Sequence, residues 1–177
     1  MKRNGGEWRW PVAAAALMAL AGCGSPGSGS ESGRKSVKPD RDVVFAIRQA
    51  GQTTASSVEV QPLRDPAVDG FLKQAADLET AHNFVDAIAA VDRALKLAPD
   101  APEILQLKAE LLIGLHRYAE AETLARKSFE LGPRLGSLCA RNWQTVVETR
   151  RAAKDEASAS SAKAQVAACK VPPRQRL

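Results

Sequence analysis

Apolar and polar positions along this chain follow a helical period, and that period itself repeats. Within residues 68–83, Phe71, Leu72, Ala75, Ala76 and Leu78 recur at the spacing that puts them on one helix face. Ala87, Ile88, Val91, Ala94 and Leu95 do the same between Phe84 and Leu97, where Pro99 stops the run. Shifted forward by 34 residues, segment 68–99 lands on 102–133: Ala75 falls on Ala109, Leu78 on Leu112, Phe84 on Tyr118, Ala87 on Ala121, Leu97 on Leu131 and Pro99 on Pro133. His82 falls on His116. The spacing predicts helices over 68–83, 84–97, 103–115 and 118–131, with turns at His82-Asn83 and His116-Arg117 and a stop at Gly132-Pro133. Asp65 and Pro66 fit the cap and first turn of the first helix. The fold class is all-α, a stack of antiparallel helical hairpins.

The pattern resembles the tetratricopeptide repeat family. Ala75 and Ala109 match its small position in the first helix of each unit, Ala87 and Ala121 the small position opening the second, and Ala94 and Ser128 the later small position. Phe84 and Tyr118 match the aromatic before the second helix, and Pro99 and Pro133 the closing proline. Physics favours the same assignment, because Ala lets helix axes approach and an aromatic fills the space left. Four positions depart: Gln74 and Lys108 stand where the family has apolar residues, and Val91 and Ala125 replace an aromatic. Two repeats leave both ends of a stack unburied, so a third unit is expected. From Asn142-Trp143 onward the pattern fits if about four residues are inserted. Trp143 then takes the opening aromatic position, Lys154-Asp155 the turn and Ala159 the small position, while Arg150 and Lys163 stand where bulky apolar residues belong. Residues 134–171 therefore read as a degenerate third repeat, an atypical C-terminal capping hairpin.

The N-terminus reads as an address. Lys2, Arg3 and Arg9 precede an apolar run at 12–21, about the length of a signal-peptide core and too short to span a bilayer of roughly 30 Å. The run ends in Leu20-Ala21-Gly22-Cys23, which resembles the lipobox of bacterial lipoproteins. The resemblance implies cleavage before Cys23 and acylation (palmitate among the chains) of Cys23. An ordinary secretory signal with a chance cysteine is the alternative. Gly24, rather than Asp, after the Cys resembles the pattern that sorts Gram-negative lipoproteins to the outer membrane. Residues 1–22 are thus the expected signal peptide. Residues 23–42, rich in Gly and Ser, are an expected flexible tether. Segment 43–65 is ambiguous: 43–51 (VVFAIRQAG) is a short apolar run, and 57–63 (SVEVQPL) alternates like a strand before it closes. The two either pair as a hairpin or lie on the first helix. Residues 172–177 are a tail.

Removing Cys23 leaves Cys139 and Cys169, an even pair in an oxidising compartment. If residues 137–154 and 156–170 are antiparallel helices, Cys139 lies about 16 residues before the bend and Cys169 about 13 after it, roughly 20–24 Å away along each helix. They come level, and a disulfide there would staple the open end of an Ala/Ser-rich hairpin. Two unpaired thiols are the alternative. Two Cys without a neighbouring His fall short of a metal site.

Charge is uneven. Acids outnumber bases over 66–133, and bases outnumber acids beyond Pro133. On an exported protein the basic end does not suggest nucleic acid; it suits an anionic lipid surface, an acidic partner or plain solvent. No phosphate-cradling glycine loop, nucleophile elbow or metalloprotease motif appears, so neither enzyme activity nor a cofactor or small-molecule substrate is expected. His82 and His116 are accounted for by their turns.

The family resemblance implies that a partner protein is held in the groove lined by the first helix of each unit. By register that groove carries Asp69, Leu72, Lys73, Ala76, Glu79 and Thr80, then Glu103, Gln106, Leu107, Glu110 and Ile113. Family members that clamp a C-terminal carboxylate carry Lys and Asn where Leu72, Ala76, Gln106 and Glu110 stand here, so that mode is not expected. Alternatively, segment 43–63 folds back onto these residues. The expectation is a lipid-anchored adaptor facing the periplasm from the outer membrane, bound to a protein of the cell envelope. The rivals are a self-associating spacer, a non-catalytic accessory subunit of an assembly or secretion complex, and an enzyme or accessory subunit acting on cell-wall or secreted polymer, which would need a convergent acid/base site.

Overall fold

The computed structural model describes residues 42–54 and 63–171 and consists there of seven helices with no strand. These are α1 (Val43–Thr54), α2 (Pro66–Thr80), α3 (Phe84–Leu97), α4 (Pro102–Gly114), α5 (Tyr118–Leu131), α6 (Ser137–Ala152) and α7 (Glu156–Ala168). Helices α2 and α3, α4 and α5, and α6 and α7 pair as hairpins, which is the expected stack. The signal, lipobox and most of the tether, the alternating segment 57–62 and the tail at 172–177 lie outside the described residues.

Local chemistry sets the helix limits. The Asp65 carboxylate accepts from the Ala67 N–H at 2.7 Å, with Pro66 in the first turn. Asn83 and Asp155 cap α3 and α7 in the same way. At the three bends His82, Lys154 and His116 are the non-glycine residues with positive φ, at 56°, 59° and 58°. After each, an N–H reaches back five residues at 2.9 Å: Asn83 to Leu78, Arg117 to Leu112 and Asp155 to Arg150. This is the left-handed helix stop that satisfies carbonyls a terminus would otherwise orphan. It explains why α2 and α4 end slightly before the apolar spacing alone suggests. It also identifies α6–α7 as a hairpin of the same kind, its bend four residues later than the repeat interval demands.

The small positions are the core. Ala87, Ala94, Ala109, Ala121 and Ser128 have no exposed surface, and Ala75 is 1% exposed. Phe84 and Tyr118 pack partly buried against this cluster. The departures from the repeat pattern are accommodated pairwise. Lys108 reaches Asp92 across α3 and α4 at 2.6 Å, and Gln74 accepts from Arg93. Val91 and Ala125 are fully buried as they stand.

Segment 43–54 requires a correction. It is neither an arm of a hairpin nor a strip along the first repeat helix. It is a capped helix, with the Asp42 carboxylate accepting from the Phe45 N–H at 2.8 Å, and it packs chiefly on α6 and also on α4. Ile47, Gly51 and Thr54, at close to helical spacing, are its buried face.

Cys139 and Cys169 are joined, with Cα atoms 5.6 Å apart, and the Gly136 N–H donates to the Cys169 carbonyl beside them. Phe129, Trp143 and Val166 cover the bridge. Since α7 buries only Ala159 and Ala162 along its own length, the covalent link does work that side-chain bulk cannot. Replacing both cysteines by Ser is expected to lower unfolding free energy by about 2–4 kcal/mol. Urea denaturation with and without reductant measures this; unchanged midpoints would count against the bridge.

Candidate functional site

The first helices of the repeats, α2 and α4, bring the predicted groove residues onto one side of the stack, but that side is not uniformly open. Gln106 and Glu110 have no exposed surface and Ile113 only 3%. Leu72, Leu107, Glu79 and Glu103 are half-buried, while Asp69, Lys73, Ala76 and Thr80 are exposed. Gln106, Glu110 and Ile113 are therefore corrected from open groove positions to interior ones. The sequence offered the physical reason as its alternative: α1 folds back against α4 and α6.

The contact is electrostatic at its centre. Glu110 accepts from Arg48 Nε on α1 at 2.9 Å, from Arg141 Nε on α6 at 2.8 Å and from Gln106 Nε2 at 3.0 Å. Arg48 also reaches Glu79 on α2 at 2.8 Å. Gln106 donates to Thr145 Oγ1 at 2.9 Å as well, tying α4 to α6. Two guanidinium groups thus face two carboxylates across four helices. Burial works against the charge on Arg48, but Glu110 and Glu79 overcome it and raise its pKa. A buried carboxylate stripped of such partners would be strongly destabilising.

A second cluster centres on Glu122 of α5, which accepts from Thr149 Oγ1 at 2.8 Å, from Arg126 Nε at 2.9 Å and from Arg150. Arg150, which departs from the repeat pattern, is thereby used to join α5 to α6. Burial pushes the Glu122 carboxyl up, but hydrogen bonds from Arg150, Thr149 and Arg126 outweigh it and hold the carboxyl below its usual range. Of the turn histidines, His116 has Nδ1 2.9 Å from the Tyr118 hydroxyl and lines a hollow that His82 also lines, beside Arg48 and Glu79.

A feature the sequence reading missed lies between α5 and α6. A cleft of about 320 Å³ is lined by Ala125, Arg126, Phe129, Glu130, Arg134, Asn142, Trp143 and Val146. Phe129 and Trp143 meet edge to face with centroids 5.1 Å apart. Arg134 lies over Phe129 at 4.3 Å and Arg126 over Trp143 at 5.6 Å. Asn142 is 1% exposed, and among the described residues neither its Oδ1 nor its Nδ2 has a hydrogen-bond partner. Orphaned buried polar groups cost about 1–3 kcal/mol each. From sequence, Asn142 only marks the start of the third unit; that its amide is unpaired emerges only in three dimensions.

Two outcomes follow from the ion clusters. Arg48→Ala is expected to destabilise the protein by about 1–2 kcal/mol, the modest end because Arg48 is part-exposed. Hydrogen exchange should show α1 amides losing protection while α2–α5 keep theirs; protection unchanged in α1 would contradict the pinning role. The folded-state pKa of Glu122 lies under its unfolded value, so Glu122 stabilises the fold at neutral pH. That contribution fades as pH falls from about 4.3, the unfolded value, through the folded one. Glu122→Gln should therefore be less stable than the parent at pH 7, with the difference closing in acid, as followed by thermal melts across pH.

Comparison with known proteins agrees with this architecture. Residues 78–133 match the family model described as Tetratricopeptide repeat. Among solved structures, the chain is similar to the globular C-terminal domain of P. aeruginosa LpoP, at 25% identity and a TM-score of 0.56, over 59% of this chain and 99% of that one. Comparison with curated proteins gives no significant match. Over residues 78–133 the helical hairpins, the buried Ala87, Ala94, Ala109 and Ala121 and the bends at His82 and His116 coincide with that match, and this part of the chain is built of tetratricopeptide repeats.

Proposed function

We propose that this protein is a lipid-anchored adaptor of the bacterial cell envelope that holds a partner protein on its helical stack. The observation that carries the reading is the repeat stack at 78–133, since such repeats present rigid helix surfaces and their family role is protein binding. The similarity to a P. aeruginosa domain supports a bacterial setting. The address rests on Leu20-Ala21-Gly22-Cys23 behind a basic start and a short apolar run. Acyl chains on Cys23 would contribute about 0.8 kcal/mol per buried methylene, enough for stable attachment when more than one chain is present. Among the described residues no helix is long and apolar enough to cross a membrane. Gly24 favours the outer membrane and a periplasmic orientation. The carboxylates Glu110 and Glu122 are engaged by arginines that hold helices together.

The exposed part of the groove, Asp69, Lys73, Ala76 and Thr80 on α2, remains a candidate contact surface, with Leu72 half-buried beside it. In cells, Cys23→Ser should move the protein from the membrane to the soluble fraction and abolish labelling by a clickable palmitate analogue. Retention with the membrane and persistent labelling would defeat the anchor. Photo-crosslinking from position 73 in the native protein should capture a specific envelope protein, and Leu72→Glu should reduce that capture. An adduct only with a second copy of the chain would favour the self-associating spacer instead.

A further inference from the structure

We infer that the α5–α6 cleft is a docking site for an extended segment of a partner protein in which an apolar side chain stands next to an acidic one. The inference deepens the adaptor reading and rests on it for the partner, but the cleft is a different surface from the groove of α2 and α4.

Asn142 carries the argument. Its neighbours on α6 are satisfied: Thr145 accepts from Gln106, Thr149 donates to Glu122 and Glu148 accepts from Gln144. Among the described residues of this helix, Asn142 holds a buried acceptor and a buried donor that are both unpaired, and it is one of the residues lining the cleft. The group that satisfies a side-chain amide at one stroke is another amide, which offers C=O to Nδ2 and N–H to Oδ1. A helical ligand spends those groups within itself, whereas an extended chain offers them outward. The floor thus selects an extended backbone.

The walls select the side chains. Phe129, Trp143, Val146 and Ala125 form an apolar recess, and its roughly 320 Å³ suits one large side chain rather than a helix. Arg134 stands at the rim with its guanidinium over Phe129 and has no carboxylate partner among the described residues; its Nη2 donates only to the Glu130 carbonyl, at 3.3 Å. Arg126 is shared with Glu122. Glu130 also lines the cleft, but Arg134 is the guanidinium that lies on the apolar recess, over Phe129, so an acidic residue beside the apolar one would meet it there. Past Arg126 the cleft continues as a shallower trough between Tyr118 and Thr149, floored in part by Ala119 and Ala153. Its small side chains leave room for a backbone to run on. No α7 residue lines either part.

The test uses the full chain purified in detergent. It is titrated with three acetylated, amidated hexapeptides: Gly-Ser-Phe-Asp-Ser-Gly, the same with Lys for Asp, and the same with Gly for Phe. Calorimetry and the change in tryptophan emission read binding. The Phe-Asp peptide should bind saturably and about tenfold or more tighter than the other two. Asn142→Leu should weaken binding about tenfold while raising Tm by about 2–6 °C, since it removes unpaired buried groups. Arg134→Glu should erase the preference for Asp over Lys. Absence of saturation, equal affinity in Asn142→Leu, or a fall in Tm for that variant would overturn the proposal. So would a dimer, seen by light scattering and abolished by Trp143→Ala, because a second copy would then occupy the cleft. In-cell crosslinking separates this proposal from the adaptor reading. A partner captured equally by Asn142→Leu and Arg134→Glu defeats the cleft alone; peptide binding without any captured partner defeats the adaptor alone.

Discussion

A carboxylate with no solvent contact has to be neutralised where it stands, and in this fold that carboxylate is Glu110. It sits on α4 at the centre of the repeat stack, and its compensation comes from Arg48 on α1 and Arg141 on α6. Three consequences follow. The N-terminal helix is drawn onto the stack, the third hairpin is locked in register with the second, and the inner side of α4 is closed. Arg48 reaches Glu79 as well, so one guanidinium ties the first repeat to the second. Helix α1 buries Ile47 fully and packs Val43 and Val44 partly against the core, and a 12-residue helix is marginal alone. Its place depends on this ion cluster together with those apolar contacts.

Closing the inner side redistributes what the scaffold can offer. Asp69, Lys73, Ala76 and Thr80 of the predicted groove on α2 stay accessible, while Gln106, Glu110 and Ile113 on α4 become core. The opposite happens between α5 and α6. There α7 is built from Ala and Ser, and it covers α6 through a disulfide rather than through bulk. The aromatic pair Phe129–Trp143 and the unpaired amide of Asn142 are left at the floor of a cleft. Among the described residues, one concavity is thus filled by α1 and another is lined in part by groups that none of them engages.

The repeat units were readable from sequence because their causes are local and periodic. Alanines at fixed spacing, capping Asp65 and Asn83, and the bends at His82 and His116 each act within a few residues of themselves. Helices α3 and α5 begin and end where the apolar spacing puts them. The pairing of Cys139 with Cys169 followed from counting helix rise on either side of one bend, which is also local. What escaped the reading was decided over long separations. Arg48 finds Glu110 62 residues away and Glu79 31 away, and nothing in the run VVFAIRQAG encodes either partner. The same holds for Asn142: an unpaired group is defined by what fails to approach it, and composition carries no trace of that. Arg150 and Lys108 looked like flaws in the repeat, yet each meets a carboxylate from a neighbouring helix.

The most direct measurement is a double-mutant cycle between Arg48 and Glu110, with Arg48→Met, Glu110→Gln and the pair compared by denaturant unfolding. If α1 is held on the stack by this contact, the coupling energy should be about 1–3 kcal/mol, so that the double variant is less impaired than the sum of the singles. Strict additivity would mean that Arg48 does not engage Glu110, and that α1 does not close the groove.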